Sequence, residues 1–259
     1  MTQPLSYIHP DAKIGQNVII EPFSAIYGNV EIGDNTWIGP NVTIMDGARI
    51  GKNCKIFPGA VISGPPQDLK FAGEETVAII GDNCVVRECA TINRGTAEKF
   101  KTEIGKNCLI MAYVHIAHDC IIGDYCIIAN SVQMGGHVMV DPHARIGGSC
   151  AIHQFVRIGS HVMISGGSLV RKDVPPFTKA AREPLSYCGI NSIGLKRSGY
   201  SDAKINEIQD IYRIVYLKGY NNTKAIDQIE VNYPSSPERD EILGFIKNSE
   251  RGIMKGTLE

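Results

Sequence analysis

One aliphatic side chain in every six residues constrains this chain more than any other feature. Ile8, Ile14, Ile20, Ile26, Ile32, Ile38, Ile44, Ile50, Ile56 and Ile62 open the series without a miss. It resumes at Ile80, Val86 and Ile92 and then runs from Ile104 to Val170. In total 25 of the 28 positions in this frame from 8 to 170 carry Ile, Val or Met. Four places after each stands a short side chain, such as Cys108, Val114, Cys120, Cys126, Val132 or Ala144. A period of six fits neither a helix of 3.6 residues per turn nor a strand of period two. It fits a solenoid of short parallel strands, a β-helix, in which three hexads close one triangular coil and coils stack about 4.8 Å apart. The period does not fix the hand of the coil, although parallel crossovers in general favour the right hand.

The three misses fall at Asp68, Glu74 and Glu98. Unpaired carboxylates cannot fill an apolar core. The pattern therefore predicts two excursions from the coil, near residues 64–76 and 94–101. After Val174-Pro175-Pro176 the period vanishes, and a linker is expected to about Gly199. Ser201 then reads as the N-cap of a helix with Ile205, Ile208, Ile211, Tyr212 and Val215 on one face and Gly219 as its stop. A second helix is expected near Thr223–Val231. A third starts at Ser236-Pro237-Glu238 and ends near Gly252. The organisation read from the sequence is a mostly β chain: a parallel β-helix over 1–190 and a small α-helical domain over 191–259, which caps the solenoid and packs on a neighbouring subunit.

Composition narrows the function classes. A formal net charge of −1 gives no support to binding nucleic acid or a membrane surface through charge. The start MTQPLSYIHP lacks the pattern of a signal peptide. No run approaches the roughly 18 apolar residues of a membrane span. Of eight cysteines, Cys54, Cys84, Cys108, Cys120, Cys126 and Cys150 fall on the small-residue position. With no CxxC and no zinc spacing, they read as interior free thiols of a protein in a reducing cytoplasm.

The histidines carry the chemistry. His118, His137 and His153 lie in hexads 18 apart, on one face of the coil, with His115 at the adjacent corner. The four line one wall within two coil spacings, about 10 Å. None occupies an aliphatic slot, so all are expected to point outward. His118 precedes Asp119, and an imidazole oriented by a carboxylate suits proton abstraction from a hydroxyl. Neighbours on a flat strand point opposite ways, so the pair can cooperate only at a bend. No GxSxG elbow or other evident nucleophile exists, which favours direct attack by a bound acceptor. Gln67-Asp68-Leu69-Lys70 places an acceptor beside a cation, and Gly135-Gly136 would expose backbone N–H groups to an oxyanion. The histidine spacings match no metal-ligand pattern, and no metal or resident cofactor is expected.

Six stretches together identify a family: QDLKFAGE at 67–74, HIAHDC at 115–120, GGHV at 135–138, HQF at 153–155, DVPPF at 173–177 and NSIGLKRSGY at 191–200. They resemble the UDP-N-acetylglucosamine O-acyltransferase (LpxA) family, which opens lipid A biosynthesis. The related N-acyltransferases carry an N-terminal uridine-binding domain, for which hexads beginning at Ile8 leave no room. The resemblance implies a left-handed β-helix and a cytoplasmic homotrimer with active sites between subunits. It implies an (R)-3-hydroxyacyl donor on the 4'-phosphopantetheine of acyl carrier protein and an acceptor 3-hydroxyl on UDP-N-acetylglucosamine.

By motif match His118 is the base, Asp119 its orienter, and Gly136 the oxyanion donor. Gln67, Asp68, Lys70, His115, His137, His153 and Gln154 contact substrate, and Asn191 and Arg197 reach the nucleotide and phosphates. Gly166, with Met163 beside it, takes the position that limits acyl length, and glycine there implies a long chain. Arg171, Lys172, Lys179, Lys196, Lys204 and Arg213 would offer a positive face to the acidic carrier protein. Ile193 and Ser198 depart from the family, where better-known members carry Glu and a second Arg. An amino-sugar acceptor, an acetyl-CoA-dependent hexapeptide transferase, a zinc-dependent β-helical carbonic anhydrase and a non-catalytic scaffold are the competing readings.

Overall fold

The computed structural model describes residues 5–256, so the first four and last three positions of the two expected units lie outside it. The hexads form three parallel sheets of nine, eight and eight strands, one for each face of a triangular prism, and three later strands extend the third sheet to eleven. The first face runs from Tyr7–Ile8 to Leu169–Val170, the second from Lys13–Ile14 to Arg157–Ile158, and the third from Ile19–Ile20 through Met163–Ile164. Register repeats every 18 residues: His115 pairs with Gln133, Gln133 with Ala151 and Ala151 with Leu169. The aliphatic slots point inward. Ile26, Ile38, Ile44, Ile56, Ile62, Ile110, Ile116 and Ile128 are completely buried, and burial of such side chains contributes about 1.5–3 kcal/mol each.

The short residues four places on close the corners. Six cysteines are buried and unpaired, and they do more than fill space. The Cys84 thiol donates to Gly105 O (3.0 Å), Cys120 to Gly135 O (3.3 Å) and Cys150 to Ser165 O (3.1 Å). Ser24 and Thr36 do the same for Gly39 O and Gly51 O. Where the slot holds Cys, Ser or Thr, its hydrogen satisfies a corner carbonyl, whereas Val114, Val132 and Ala144 at the same slot only fill space.

Most corners are two-residue turns whose second residue has positive φ. Asn17, Asn35, Asn53, Asn83 and Asn107 fill this place along the second-to-third corner, as expected of the side chain that best tolerates the left-handed region after glycine. From Tyr125 onward the column becomes aromatic, with Tyr125, His143, His161 and Phe177 stacked in series.

Both excursions leave the coil where the carboxylates break the period. Ala48 pairs with Ala78 and Ala78 with Thr102, stretching the repeat to 30 and then 24 residues. The two loops are tied together. Glu74 accepts from Ala97 N (3.0 Å), and Arg94 N donates to Gly64 O. The Arg94 guanidinium lies 5.3 Å from the centre of the Phe71 ring.

The segment after Val174 differs from the expected linker. Thr178–Ala181 adds in parallel to the third face, Ser186–Ile190 pairs antiparallel to it, and Lys255–Gly256 pairs with the latter. These strands cover the open end of the third sheet, which would otherwise present unpaired backbone groups. A short helix α1 (Ser192–Arg197) follows, capped by the Asn191 side chain. Helix α2 (Asp202–Leu217) starts at the Ser201 cap and buries Ile205, Ile208, Ile211, Tyr212 and Val215, as its spacing predicts. Helix α3 spans Asn222–Asn232. Helix α4 spans Pro237–Lys247, ending before Gly252 because Asn248 caps it. Among the described residues no helix is long and apolar enough to cross a membrane.

Candidate active site

His118 and Asp119 form the turn between the first and second faces. Asp119 has φ +60°, and this bend turns two consecutive side chains to the same side. His118 Nδ1 donates to Asp119 Oδ2 at 2.8 Å. Since an ionised carboxylate only accepts, the neutral ring carries its proton on Nδ1 and leaves the Nε2 lone pair free. Asp119 is completely buried. Burial works against its charge, but the Thr96 hydroxyl, His118 and the Thr96 N–H outweigh it and hold the carboxyl below the ordinary aspartate value.

The corner repeats downward. Gly136 lies one coil below His118 and Gln154 one coil below that, while His137 and Phe155 continue the Asp119 column. A Cβ on Gly136 would fall 2.6 Å from His118 Cε1 and 2.7 Å from Nε2. Glycine is required because the imidazole rests over its Cα. At the equivalent turn position on another corner, aspartates of the next coil accept from Gln16 N, Lys52 N and Lys106 N. Among the described residues the Gly136 N–H has no such partner and stays available beside the base.

The other imidazoles divide. His137 was expected to point outward and does leave the coil, yet it is buried. The excursion covers it, with Glu98 Oε2 3.5 Å and Asp119 Oδ2 3.7 Å from Nε2. Its ring stacks on Phe155 at 4.6 Å and meets His118 edge-on at 5.1 Å. Burial pushes its pKa down, against the pull of Glu98 and Asp119. His115, within 2.7 Å of the Thr91 hydroxyl, is likewise held down by burial and by His118. His153 is exposed and donates to Gln154 O, with the Gln154 side chain exposed beside it.

Asp68 reaches the corner from the first excursion, its Oδ2 4.0 Å from His118 Nε2 and its Oδ1 accepting from Lys70 N. The Gln67 and Lys70 side chains are exposed around it. His118, Asp119 and His137 lie within 4.8 Å of one another, a spacing that could hold a metal ion. The Asp119 oxygens, however, already accept from Thr96 and His118, so the carboxylate is engaged in holding the imidazole.

The remaining expected residues sit elsewhere. Across the first face, a groove of about 320 Å³ lined by Gln133, Gly135, Ala151, His153, Leu169 and Arg171 leads away from the catalytic corner. Gly166 occupies the corner at the far edge of that face, and a Cβ there would press on the Gly148 backbone, 3.0 Å from its O and 3.6 Å from its N. Met163 is half-exposed on the neighbouring strand. Asn191 is buried, with Nδ2 donating to His161 O and Oδ1 accepting from Gly194 N. Its side chain is thus engaged within the chain, while Arg197 is exposed at the end of α1. Both belong to a different edge of the prism from His118. Of the cations expected to face a carrier protein, Arg171, Lys196, Lys204 and Arg213 pair with Glu183, Asp202, Glu207/Glu238 and Asp210. Sequence reasoning missed Thr91, Thr96 and Glu98. They lie on the preceding coil and in an excursion, where the repeat gives no register.

Comparison with known proteins agrees with this geometry. Residues 29–64 and 101–136 match the bacterial transferase hexapeptide model. Residues 173–254 match the model for domain 2 of UDP-N-acetylglucosamine O-acyltransferase. An acyl-[acyl-carrier-protein]--UDP-N-acetylglucosamine O-acyltransferase from Chlamydia abortus is 42% identical over 254 residues, 98% of this chain and 91% of the relative.

The chain belongs to the UDP-N-acetylglucosamine O-acyltransferase (LpxA) family.

A family member of the same description from Chlorobium phaeobacteroides is 53% identical over 195 residues, 75% of this chain and 74% of its own. The crystal structure of LpxA from Bacteroides fragilis superposes with a TM-score of 0.97 at 52% identity, covering 98% of this chain and all of that one.

Proposed function

We propose that this chain transfers an (R)-3-hydroxyacyl group from acyl carrier protein to the 3-hydroxyl of UDP-N-acetylglucosamine, the first step of lipid A biosynthesis. The observation that carries the mechanism is the oriented dyad above a bare glycine. His118 Nε2 is the free lone pair, Asp119 holds the ring, and Gly136 N–H lies unpaired beneath it. His118 takes the proton from the acceptor hydroxyl as its oxygen attacks the thioester carbonyl. The imidazolium so formed is stabilised by buried Asp119. The tetrahedral oxyanion accepts from Gly136 N–H. Collapse breaks the carbon–sulfur bond, and the departing phosphopantetheine thiolate takes the proton from His118. Asp68 and Lys70, with Gln67, hold the sugar-phosphate part. His115, His137, His153 and Gln154 border the substrate.

The acyl chain runs along the apolar first face toward Gly166 and Met163, and the lack of a side chain at Gly166 supports a long chain. Asn191 and Arg197 sit on another edge of the prism from the dyad, which supports a homotrimer with each site closed between two subunits. The six interior thiols suit the reducing cytoplasm in which acyl carrier protein is found.

The test is a transfer assay with purified protein, UDP-N-acetylglucosamine and (R)-3-hydroxyacyl carrier proteins of increasing length, read by mass spectrometry. A mono-O-acylated nucleotide is the expected product. Product only with the 3-amino nucleotide would reassign the acceptor. Turnover of acetyl-CoA without carrier protein would reassign the donor.

A further inference from the structure

The residue that fixes the orienting carboxylate is not in the repeat at all. Thr96 stands in the second excursion, between residues 94 and 101. Its backbone N–H donates to Asp119 Oδ1 at 3.0 Å and its hydroxyl to Asp119 Oδ2 at 2.6 Å. Both partners are buried. Asp119 Oδ2 is the same oxygen that receives His118 Nδ1–H. A carboxylate turns freely about its last torsion unless something holds it. Here one threonine grips both oxygens.

The excursion that carries Thr96 is anchored without the hydroxyl. Phe100 N donates to Thr96 O, Gly95 N to Val77 O, and Arg94 N to Gly64 O. The Thr76 hydroxyl donates to Gly95 O, and Ala97 N to Glu74 Oε1. Of the bonds that would keep the loop in place, the Thr96 hydroxyl contributes one, as acceptor for Glu98 N at 3.3 Å. Its short bond to Asp119 is therefore better placed to serve the dyad than the loop.

We infer that Thr96 is a positioning residue for the transfer reaction, holding the Asp119 carboxylate in the plane that presents His118 Nε2 to the acceptor hydroxyl. This rests on the base role proposed for His118. It predicts where binding and chemistry separate. Thr96 touches neither nucleotide nor donor, so its loss should leave ground-state binding unchanged and slow only the step in which the imidazole becomes charged.

The experiment compares Thr96→Val, Thr96→Ser, Asp119→Ala, the Thr96→Val/Asp119→Ala pair and His118→Ala in the transfer assay, with thermal unfolding of each. Valine keeps the branched shape and every backbone-to-backbone bond of the loop, losing besides the Asp119 bond only the 3.3 Å bond from Glu98 N. Thr96→Val is expected to lower kcat about tenfold, the scale of one hydrogen bond to a charged group, with KM for the nucleotide unchanged. Thr96→Ser should recover most of the rate. In the Asp119→Ala background Thr96→Val should cost nothing further, because the group it positions is gone. Wild-type kcat in Thr96→Val, or an equal loss in both backgrounds, would overturn the inference and leave Thr96 a loop residue. His118→Ala separates this from failure of the base assignment: a fully active His118→Ala enzyme removes the dyad itself, whatever Thr96 does.

Discussion

Gly136→Ala puts the proposed geometry under the most direct strain. The φ of Gly136 is not among the positive values, so alanine can adopt the backbone and the whole effect comes from contact. Its methyl would start 2.6 Å from His118 Cε1, 2.7 Å from Nε2 and 3.1 Å from Nδ1. Ordinary carbon contacts begin near 3.4 Å, so the ring must withdraw by about 0.8 Å or rotate out. It cannot do so and keep its 2.8 Å bond to Asp119, whose carboxylate is buried and fixed by Thr96. A misplacement of about 1 Å at a reacting group costs on the order of 10²-fold in rate, and kcat should fall by about that factor. Stability should fall by only about 1–2 kcal/mol, because His118 is partly exposed and can swing toward solvent.

The assay is single-turnover acyl transfer, with unfolding by calorimetry. Gly244→Ala serves as a control, since a Cβ there meets nothing within 4 Å on helix α4, and it should stabilise by about 0.5–1 kcal/mol without touching rate. A Gly136→Ala enzyme with kcat within twofold of wild type would refute the placement of the imidazole over Gly136.

Further outcomes follow from the same geometry. His118→Ala should abolish transfer in a folded protein, and Asp119→Ala should slow it less, as loss of an orienter does; equal rates for wild type and Asp119→Ala would end the orienter assignment. Gly166→Met should shift the preferred donor to shorter chains, since a side chain is added at the corner that ends the groove; an unchanged product series would place the ruler elsewhere. Burial, then the charges of His143 and Arg145, bring the His161 pKa down to about 4. The unfolded chain, near 6.5, then binds the extra proton first, so stability should fall as pH drops from 6.5 toward 4, by no more than about 3 kcal/mol. His161→Phe, which keeps the stack, should flatten denaturation midpoints measured between pH 7 and 5; an unchanged slope would assign the pH dependence to other groups.

How far the chain could be read depended on whether a residue stood in the repeat. The 18-residue register puts the hexads of His118, His137 and His153 on one face, and the strand pairs bear this out. The charged misses at Asp68, Glu74 and Glu98 located both excursions. Helix α2 was legible because a serine cap and a 3.6-residue apolar stripe both announce it. Outside such patterns the reading thinned. Strands Thr178–Ala181 and Ser186–Ile190 read as linker in the sequence, since neither carries the hexad, and α1 is only six residues long.

Asn191 illustrates a subtler gap. Family resemblance assigns it to the nucleotide, whereas its own side chain caps α1 and reaches His161 O, 30 residues away. The interior cysteines were read as hydrophobes, and their bonds to corner carbonyls emerged only when the corners were built.

The sequence by itself determined the coil, its period, its interior and the corner on which the dyad stands, because a periodic apolar pattern has one efficient way to bury itself. Only the tertiary structure decided how that corner becomes a catalytic arrangement: that the bend at Asp119 turns two neighbours together, that His137 lies covered by the excursion, and that Thr96 grips the carboxylate from 23 residues away. Those contacts join aperiodic loop residues to periodic ones. Their register is set by the path of two excursions, which no local propensity encodes.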